Sequence, residues 1–126
     1  MEEGDTIVAP TNGFQVKINA AVDCNSKNIL YYLFCRKANC SEFYIGQSKN
    51  SLKERFSDHR GYVNTSKLHQ ATGAHWNLPG HKVSDMGITI LEKIKSKDPF
   101  YRNEREKYFI NKFEARTKSL NKNDGG

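Results

Sequence analysis

Two pairs of metal-ligand residue types stand out along the chain: Cys35 and Cys40 with four residues between them, and His75 and His81 with five. Soft thiolates and imidazoles suit tetrahedral Zn2+, and both spacings lie at the upper limit typical of such pairs. Cys40 and His75 are too far apart for an independent zinc finger. The four would instead form a clip that ties a tight turn to a distant polar loop. Four protein ligands leave no open position, so such a zinc would be structural, and Cys24 could replace one ligand. The metal-free alternative is a buried thiol pair with exposed histidines. An odd count of three cysteines, with no signal peptide, argues against a disulfide framework.

A second set of residues is placed by helix periodicity. Arg55 and His59 are four apart, so on a helix they point the same way. A guanidinium matches phosphate oxygens bidentately and stabilises charge that develops there. Glu106 has Phe109 and Ile110 three and four residues further on, so it borders the apolar face of its helix. A carboxylate in that position is costly unless it is paired or metal-bound. Its partner is Arg102 or Lys107, or else a cation.

These side chains need elements to carry them. Ile29-Leu-Tyr-Tyr-Leu-Phe-Cys35 is a continuous apolar, β-branched and aromatic run, the pattern of a buried strand. Glu42-Phe-Tyr-Ile-Gly46 returns as a second strand across a short polar link, which makes an antiparallel hairpin. Ser48 or Ser51 caps a helix on which Leu52, Arg55, Phe56 and His59 recur up to Tyr62. Residues 64–80 are polar and irregular, with room for one turn of helix at Lys67–Ala71. Gly87–Ile94 alternates as a third strand. Asp98 caps and Pro99 opens a last helix that runs to about Phe113. Phe14–Ile18 reads as a short lead-in strand, and Ser119-Leu-Asn121 as a closing segment. The order strand, strand, helix, strand, helix gives an α+β fold: a small three-stranded antiparallel sheet flanked by helices.

The chain has 126 residues, enough for one core. Residues 1–13 read as a loose arm, 14–122 as the domain, and 123–126 as a tail. The small size and abrupt tail fit a piece of a larger polyprotein. No apolar run reaches the roughly 20 residues of a membrane span, and the acidic N-terminus is not a signal peptide. The net charge is +6, and all of it falls between Lys93 and Lys122, where ten Lys/Arg face four acids. Such a segment attracts a polyanion, nucleic acid above all.

Ile29-Leu30-Tyr31, twelve residues, then Tyr44-Ile45-Gly46 resembles the paired signature of the GIY-YIG nucleases. Ile29 stands where that family has glycine, and Leu30 where it has isoleucine. Tyr32 is the rival of Tyr31, but the two apolar residues ahead favour Tyr31. The resemblance continues through Arg55 and His59, through Glu106 in the glutamate position, and to Asn121. Cys24-Asn-Ser-Lys-Asn, Cys35, Cys40, His75-Trp-Asn-Leu-Pro-Gly-His81 and Leu91-Glu-Lys-Ile94 resemble more narrowly the endonuclease domain of Penelope-like retroelements.

The resemblance implies a metal-dependent DNA endonuclease that nicks one strand, as a monomer or in a transient dimer. Tyr31 would be the general base and Tyr44 would bind the phosphate or orient the water. Arg55 and His59 would stabilise the phosphorane charge. Glu106 would hold Mg2+ or Mn2+, and Asn121 would buttress the Glu106 region. A phenol near pKa 10 is a poor base at neutral pH, so Tyr31 would need positive charge beside it. Lys49, Lys53, Arg102, Arg105 and Lys112 would contact DNA. A fused reverse transcriptase, its template RNA, no membrane partner, and an intracellular, nuclear setting follow from the same resemblance. The alternative reading is a non-catalytic, zinc-stabilised nucleic-acid-binding module.

Overall fold

The computed structural model describes residues 6–17, 25–115 and 119–121. Two short strands, β1 (Thr6–Val8) and β2 (Gln15–Lys17), pair antiparallel with each other. A second sheet contains β3 (Ile29–Cys35), β4 (Phe43–Ser48) and β5 (Met86–Lys93) in the order β4-β3-β5, antiparallel throughout. Helices α1 (Leu52–Asn64) and α2 (Ala71–Trp76) connect β4 to β5, and α3 (Pro99–Lys112) follows β5. This is the α+β arrangement expected from the sequence.

The unbroken apolar run of β3 is explained by its position. It is the central strand, covered on both faces, so both sets of alternating side chains are buried. Leu30 and Tyr32 join Phe43, Ile45, Phe109, Ile110 and Phe113 on the α3 face. Ile29, Tyr31 and Leu33 join Tyr44, Leu52, Val63 and Trp76 on the α1–α2 face. Strand alternation thus puts the two neighbouring tyrosines on opposite faces. Tyr31 faces the helix that carries Arg55 and His59, whereas Tyr32 stacks among Phe34, Phe43 and Phe113. Ile29 is fully buried, so the residue replacing the family's glycine is a core residue.

Local sequence fixes the helix ends. Ser51 accepts from the Glu54 amide at 3.1 Å while the Glu54 carboxylate accepts from the Ser51 amide at 3.4 Å, a capping box at the start of α1. Asp98 caps α3 through the Phe100 amide at 3.0 Å, with Pro99 at the first helical position.

Two sequence expectations need correction. The N-terminal arm is not loose over residues 6–13. Ile7 and Ala9 are buried against the α3 face, and Thr11 Oγ1 donates to the Phe113 carbonyl at 2.6 Å. The lead-in strand expected at Phe14–Ile18 is found as β2, but the three residues of its partner β1 carry too little periodicity to be read in sequence. Lys67–Gln70 does close one turn, with the Gln70 amide on the Lys67 carbonyl at 3.0 Å, but the helix begins after it, at Ala71. Cys24 and the 123–126 tail lie outside the described residues.

Candidate active site

Tyr31 is fully buried, and its hydroxyl sits at a three-way junction. Arg55 Nε donates to it at 3.1 Å, and His59 Nε2 lies 2.7 Å away. The other ring nitrogen of His59, Nδ1, is 2.8 Å from Thr72 Oγ1. The junction forms because α1 lays Arg55 and His59, one turn apart, across the Tyr31 side of β3. Arg55 Nη1 also donates to Tyr62 Oη at 3.3 Å and reaches Asp58 at 3.5 Å. Tyr44 packs on the same face, with its ring centroid 5.7 Å from that of His59 and 6.5 Å from that of Tyr31.

Gly46 has a steric role here. It lies opposite Tyr31 across β3 and β4, and a Cβ at this position would collide with the Tyr31 hydroxyl. Only glycine lets that hydroxyl lie against the β4 backbone. The next residue, Gln47, has a side chain that bonds α3. Its Nε2 donates to Glu106 Oε1 at 3.2 Å and to Asn103 Oδ1, and its Oε1 accepts from Arg102 Nε at 2.5 Å. Tyr31 and Glu106 are therefore positioned from adjacent points of one edge strand.

Glu106 is 1% exposed. Neither Arg102 nor Lys107 is its ion-pair partner: Arg102 bonds Gln47 and Asn28, and Lys107 lies against Glu104 at 3.8 Å. Its second oxygen, Oε2, is buried without a hydrogen-bond partner among the described residues. Burial pushes the carboxyl up to about 7, against the opposing pull of the Gln47 bond, Arg102 and Arg55. A buried carboxylate with one oxygen unpaired suits a hard cation.

The remaining ionisations follow from the same burial. Tyr31 is pushed above its ordinary value by desolvation, which the adjacent Arg55 only partly offsets. Tyr44 is pushed up to about 12 by burial and by the nearby Glu106 charge. His59 is held down at about 3 by burial and then by Arg55, so its imidazole is neutral at pH 7.

Asn121 is 1% exposed, and it bonds β4 and not Glu106. Its Oδ1 accepts from the Ile45 amide at 2.9 Å and its Nδ2 donates to the Ile45 carbonyl at 2.8 Å. It thereby seals the outer edge of β4 between Tyr44 and Gly46. Lys49 and Lys53 are exposed beside the start of α1, and Lys112 is exposed at the end of α3. Arg105 is held by a two-pronged bond to Glu92 at 2.7 and 3.1 Å, and Arg102 is held as above.

Away from this junction, one ligand atom from each of Cys35, Cys40, His75 and His81 lies within 4.8 Å of the other three. Cys40 Sγ is 3.5 Å from His75 Nε2. Both ring nitrogens of His81 are buried with no hydrogen-bond partner among the described residues. Burial and the neighbouring Cys40 push the Cys35 thiol up to about 11, even against a backbone bond that favours the thiolate. Burial and His81 also hold His75 below its ordinary value. Two thiols and two imidazoles converging with so few hydrogen bonds match a tetrahedral Zn2+ donor set.

Sequence reasoning missed Thr72, Tyr62, Gln47 and Asn28. Gln47 left a signal: alternation along β4 puts it on the same buried face as Ile45, where a polar side chain needs a partner. Asn28 has φ +57°. Its side chain accepts from Arg102 at 2.7 Å and donates to the Ile94 and Ser96 carbonyls at 2.9 and 2.8 Å, tying the start of β3 to the β5–α3 link. Nothing local in the sequence marks Thr72 or Tyr62.

The family model of the GIY-YIG catalytic domain matches residues 27–121. The chain belongs to this family, whose members are nucleases. No curated protein and no solved structure gave a significant match. No helix among the described residues is long and apolar enough to cross a membrane.

Proposed function

We propose that the chain is a divalent-metal-dependent DNA endonuclease that hydrolyses one phosphodiester and, as a monomer, nicks one strand. The unpaired Oε2 of Glu106, beside the Arg55–Tyr31–His59 junction, carries this reading. A phosphate clamp, a phenol and a carboxylate short of a cation then meet around Gly46. Glu106 would hold Mg2+ or Mn2+ through one carboxylate and waters. Bound there, the ion supplies Lewis-acid polarisation of the phosphate and supports the departing 3′ oxygen.

The chain's own residues do the rest. Arg55 engages Tyr31 through Nε and Asp58 and Tyr62 through Nη1, which leaves Nη2 to meet a phosphate oxygen. Because Arg55 covers the buried Tyr31 hydroxyl, a phosphate that draws the guanidinium outward opens that hydroxyl to a water. The water's proton passes to the Tyr31 oxygen as the Tyr31 proton passes to His59 Nε2. The hydroxide forms the new bond to phosphorus, the P–O3′ bond breaks, and the 3′ oxygen takes its proton from solvent. An anion on Arg55 also offsets the field that helps hold His59 down, so substrate makes the imidazole a better proton acceptor. Tyr44, protonated throughout the neutral range, donates to the phosphate or orients the water. Asn121 fixes the strand that carries Tyr44 and Gly46. Lys49, Lys53 and Lys112 meet the DNA backbone, while Arg102 and Arg105, held by internal partners, contribute mainly their field.

In the same reading, Cys35, Cys40, His75 and His81 hold a structural Zn2+, and residues 14–122 form the nuclease unit with this clip. The cluster, together with the motifs around it, supports a setting like that of Penelope-like retroelements. The nick would prime a fused reverse transcriptase on its template RNA in the nucleus.

The test is nicking of supercoiled plasmid with Mg2+ or Mn2+. Wild type is expected to nick, and Glu106→Ala and Arg55→Ala to lose about a hundredfold or more. Equal activity in all three would sink the site. A wild type that fails to nick with every divalent ion tried returns the chain to the class of zinc-stabilised binding modules.

A further inference from the structure

The hydrogen-bond donors around Tyr31 allow one proton arrangement to be deduced. Arg55 Nε is an obligate donor, so the Tyr31 oxygen accepts from it at 3.1 Å. Among the bonds made by the Tyr31 hydroxyl, the remaining partner is His59 Nε2 at 2.7 Å. A fully buried hydroxyl needs an acceptor for its proton, so Tyr31 donates and His59 Nε2 accepts. His59 Nδ1 must then carry the ring proton, and it donates to Thr72 Oγ1 at 2.8 Å. The tautomer has a consequence for chemistry. With Nε2 bare, the Tyr31 oxygen keeps a lone pair for a water proton and has somewhere to send its own. With the opposite tautomer, Nε2–H would donate to Tyr31, the phenol proton would turn outward, and Tyr31 would face the substrate as a donor.

We infer that Thr72 is the positioning residue that holds His59 in the Nδ1–H tautomer the Arg55–Tyr31 bonds call for, by accepting the Nδ1 proton, and so keeps the direction in which Tyr31 moves its proton; this inference rests on the nuclease reading. Thr72 is 2% exposed and His59 3%, so no water competes for Nδ1. The fold also holds Thr72 in place by two separate means. Gly73 brings the α2 backbone so close to the end of α1 that a Cβ there would meet the Lys67 and Tyr62 carbonyls. Asn77 Nδ2 donates to the Val63 carbonyl at 3.0 Å and to the Gly73 carbonyl at 2.7 Å, stitching α2 to α1. His75, three residues along the same short helix, belongs to the Cys/His cluster. The element that presents Thr72 to His59 thus also carries a member of the cluster.

The experiment uses the full chain with its natural metal content and compares wild type, Thr72→Val and Thr72→Ser. Side-chain 15N shifts report the His59 tautomer without substrate, with His59→Gln identifying the signal among the four histidines. Plasmid nicking with Mg2+ gives kcat and KM separately. The Nδ1–H tautomer is expected in wild type and Thr72→Ser. In Thr72→Val it gives way to the other tautomer or a mixture, and kcat falls at least about tenfold with KM within twofold. A purely structural Thr72 gives the opposite ranking, because serine loses the methyl that valine keeps. The inference is overturned if Thr72→Val keeps Nδ1–H, or changes tautomer yet nicks at the wild-type rate. Should Thr72→Val not fold, Thr72→Ser below a tenth of wild-type kcat overturns it, and near-wild-type kcat with Nδ1–H supports it. A wild type that does not nick overturns the nuclease reading and the catalytic part of this inference together, while the 15N shifts still decide whether Thr72 sets the tautomer.

Discussion

The Tyr31 junction and the Cys/His cluster are both built from buried polar groups under the same two helices, yet they are satisfied in different ways. At the junction nearly every donor and acceptor is paired within the protein: Arg55 to Tyr31, Tyr31 to His59, His59 to Thr72. The exception beside it is a single oxygen, Glu106 Oε2. In the cluster four ligand atoms converge, Cys40 approaches His75 at 3.5 Å, and both ring nitrogens of His81 lack a partner among the described residues. One unpaired oxygen takes a cation that keeps its waters and an open face for substrate. Four converging soft ligands take a cation and leave it no open position. In the function proposed above, the contrast separates a working site from a fastening, and α2 reaches both, with Thr72 at one and His75 at the other.

The sharpest way to break this contrast is to remove the fastening. Strong chelation, or Cys40→Ser, is expected to lower Tm by more than 10 °C, because structural zinc in small domains is worth roughly 10 kcal/mol or more. Amide exchange should lose protection first around residues 71–81. A Tm unmoved by chelation would show that the cluster does not hold the fold.

Gly46→Ala acts on the junction alone. The new Cβ displaces the Tyr31 hydroxyl, and nicking should fall at least about tenfold while stability drops by about 1–3 kcal/mol, as for other overpacked sites. Full activity in Gly46→Ala would mean that Tyr31 is not held against β4. Asn121→Ala leaves the Ile45 amide and carbonyl without their partners at the β4 edge and should cost about 1–3 kcal/mol in denaturant melts; no loss would mean that the closing segment does not seal that edge.

Acid gives a gentler test. Folding depresses the pKa of His59 to about 3 from 6.5, so the unfolded chain binds a proton that the folded chain refuses. The stability from this group is present above pH 6.5 and is lost as pH falls toward 3. His59→Gln should flatten that part of the stability–pH curve; an unchanged curve would count against a neutral, buried His59. The smallest effect is expected at the surface: Lys49→Ala and Lys53→Ala, each in a Glu106→Ala background that leaves the DNA uncut, should reduce the salt slope of DNA binding by about one. Unchanged slopes would move the DNA path elsewhere.

Much of this was legible in the sequence because periodicity carries it. The four-residue spacing of Arg55 and His59 put those two on one helix face, whereas the continuous run Ile29–Cys35 left Tyr31 and Tyr32 undivided until the sheet gave each a face. The apolar neighbours of Glu106 marked a carboxylate in need of a partner, and the paired spacings marked the cluster. What could not be read depends on tertiary approach. Thr72 is one polar residue in a polar stretch, and only the packing of α2 on α1 gives it His59 as a partner. Asn121 was expected near Glu106, but its partners are backbone atoms of an edge strand, which leave no mark in side-chain patterns. Of the β1–β2 pair, β2 was legible in the alternation of Phe14–Ile18, whereas the three residues of β1 show no usable alternation.

The division of labour between the two sites is tested most directly by measuring zinc content and plasmid nicking on the same preparations of wild type and Glu106→Ala, purified without added metal. The expected result is about one equivalent of zinc in both proteins, with nicking in Mg2+ by wild type only. Glu106→Ala that loses its zinc, or that keeps its zinc and still nicks at the wild-type rate, would contradict the assignment of catalysis to Glu106 and of fastening to the cluster.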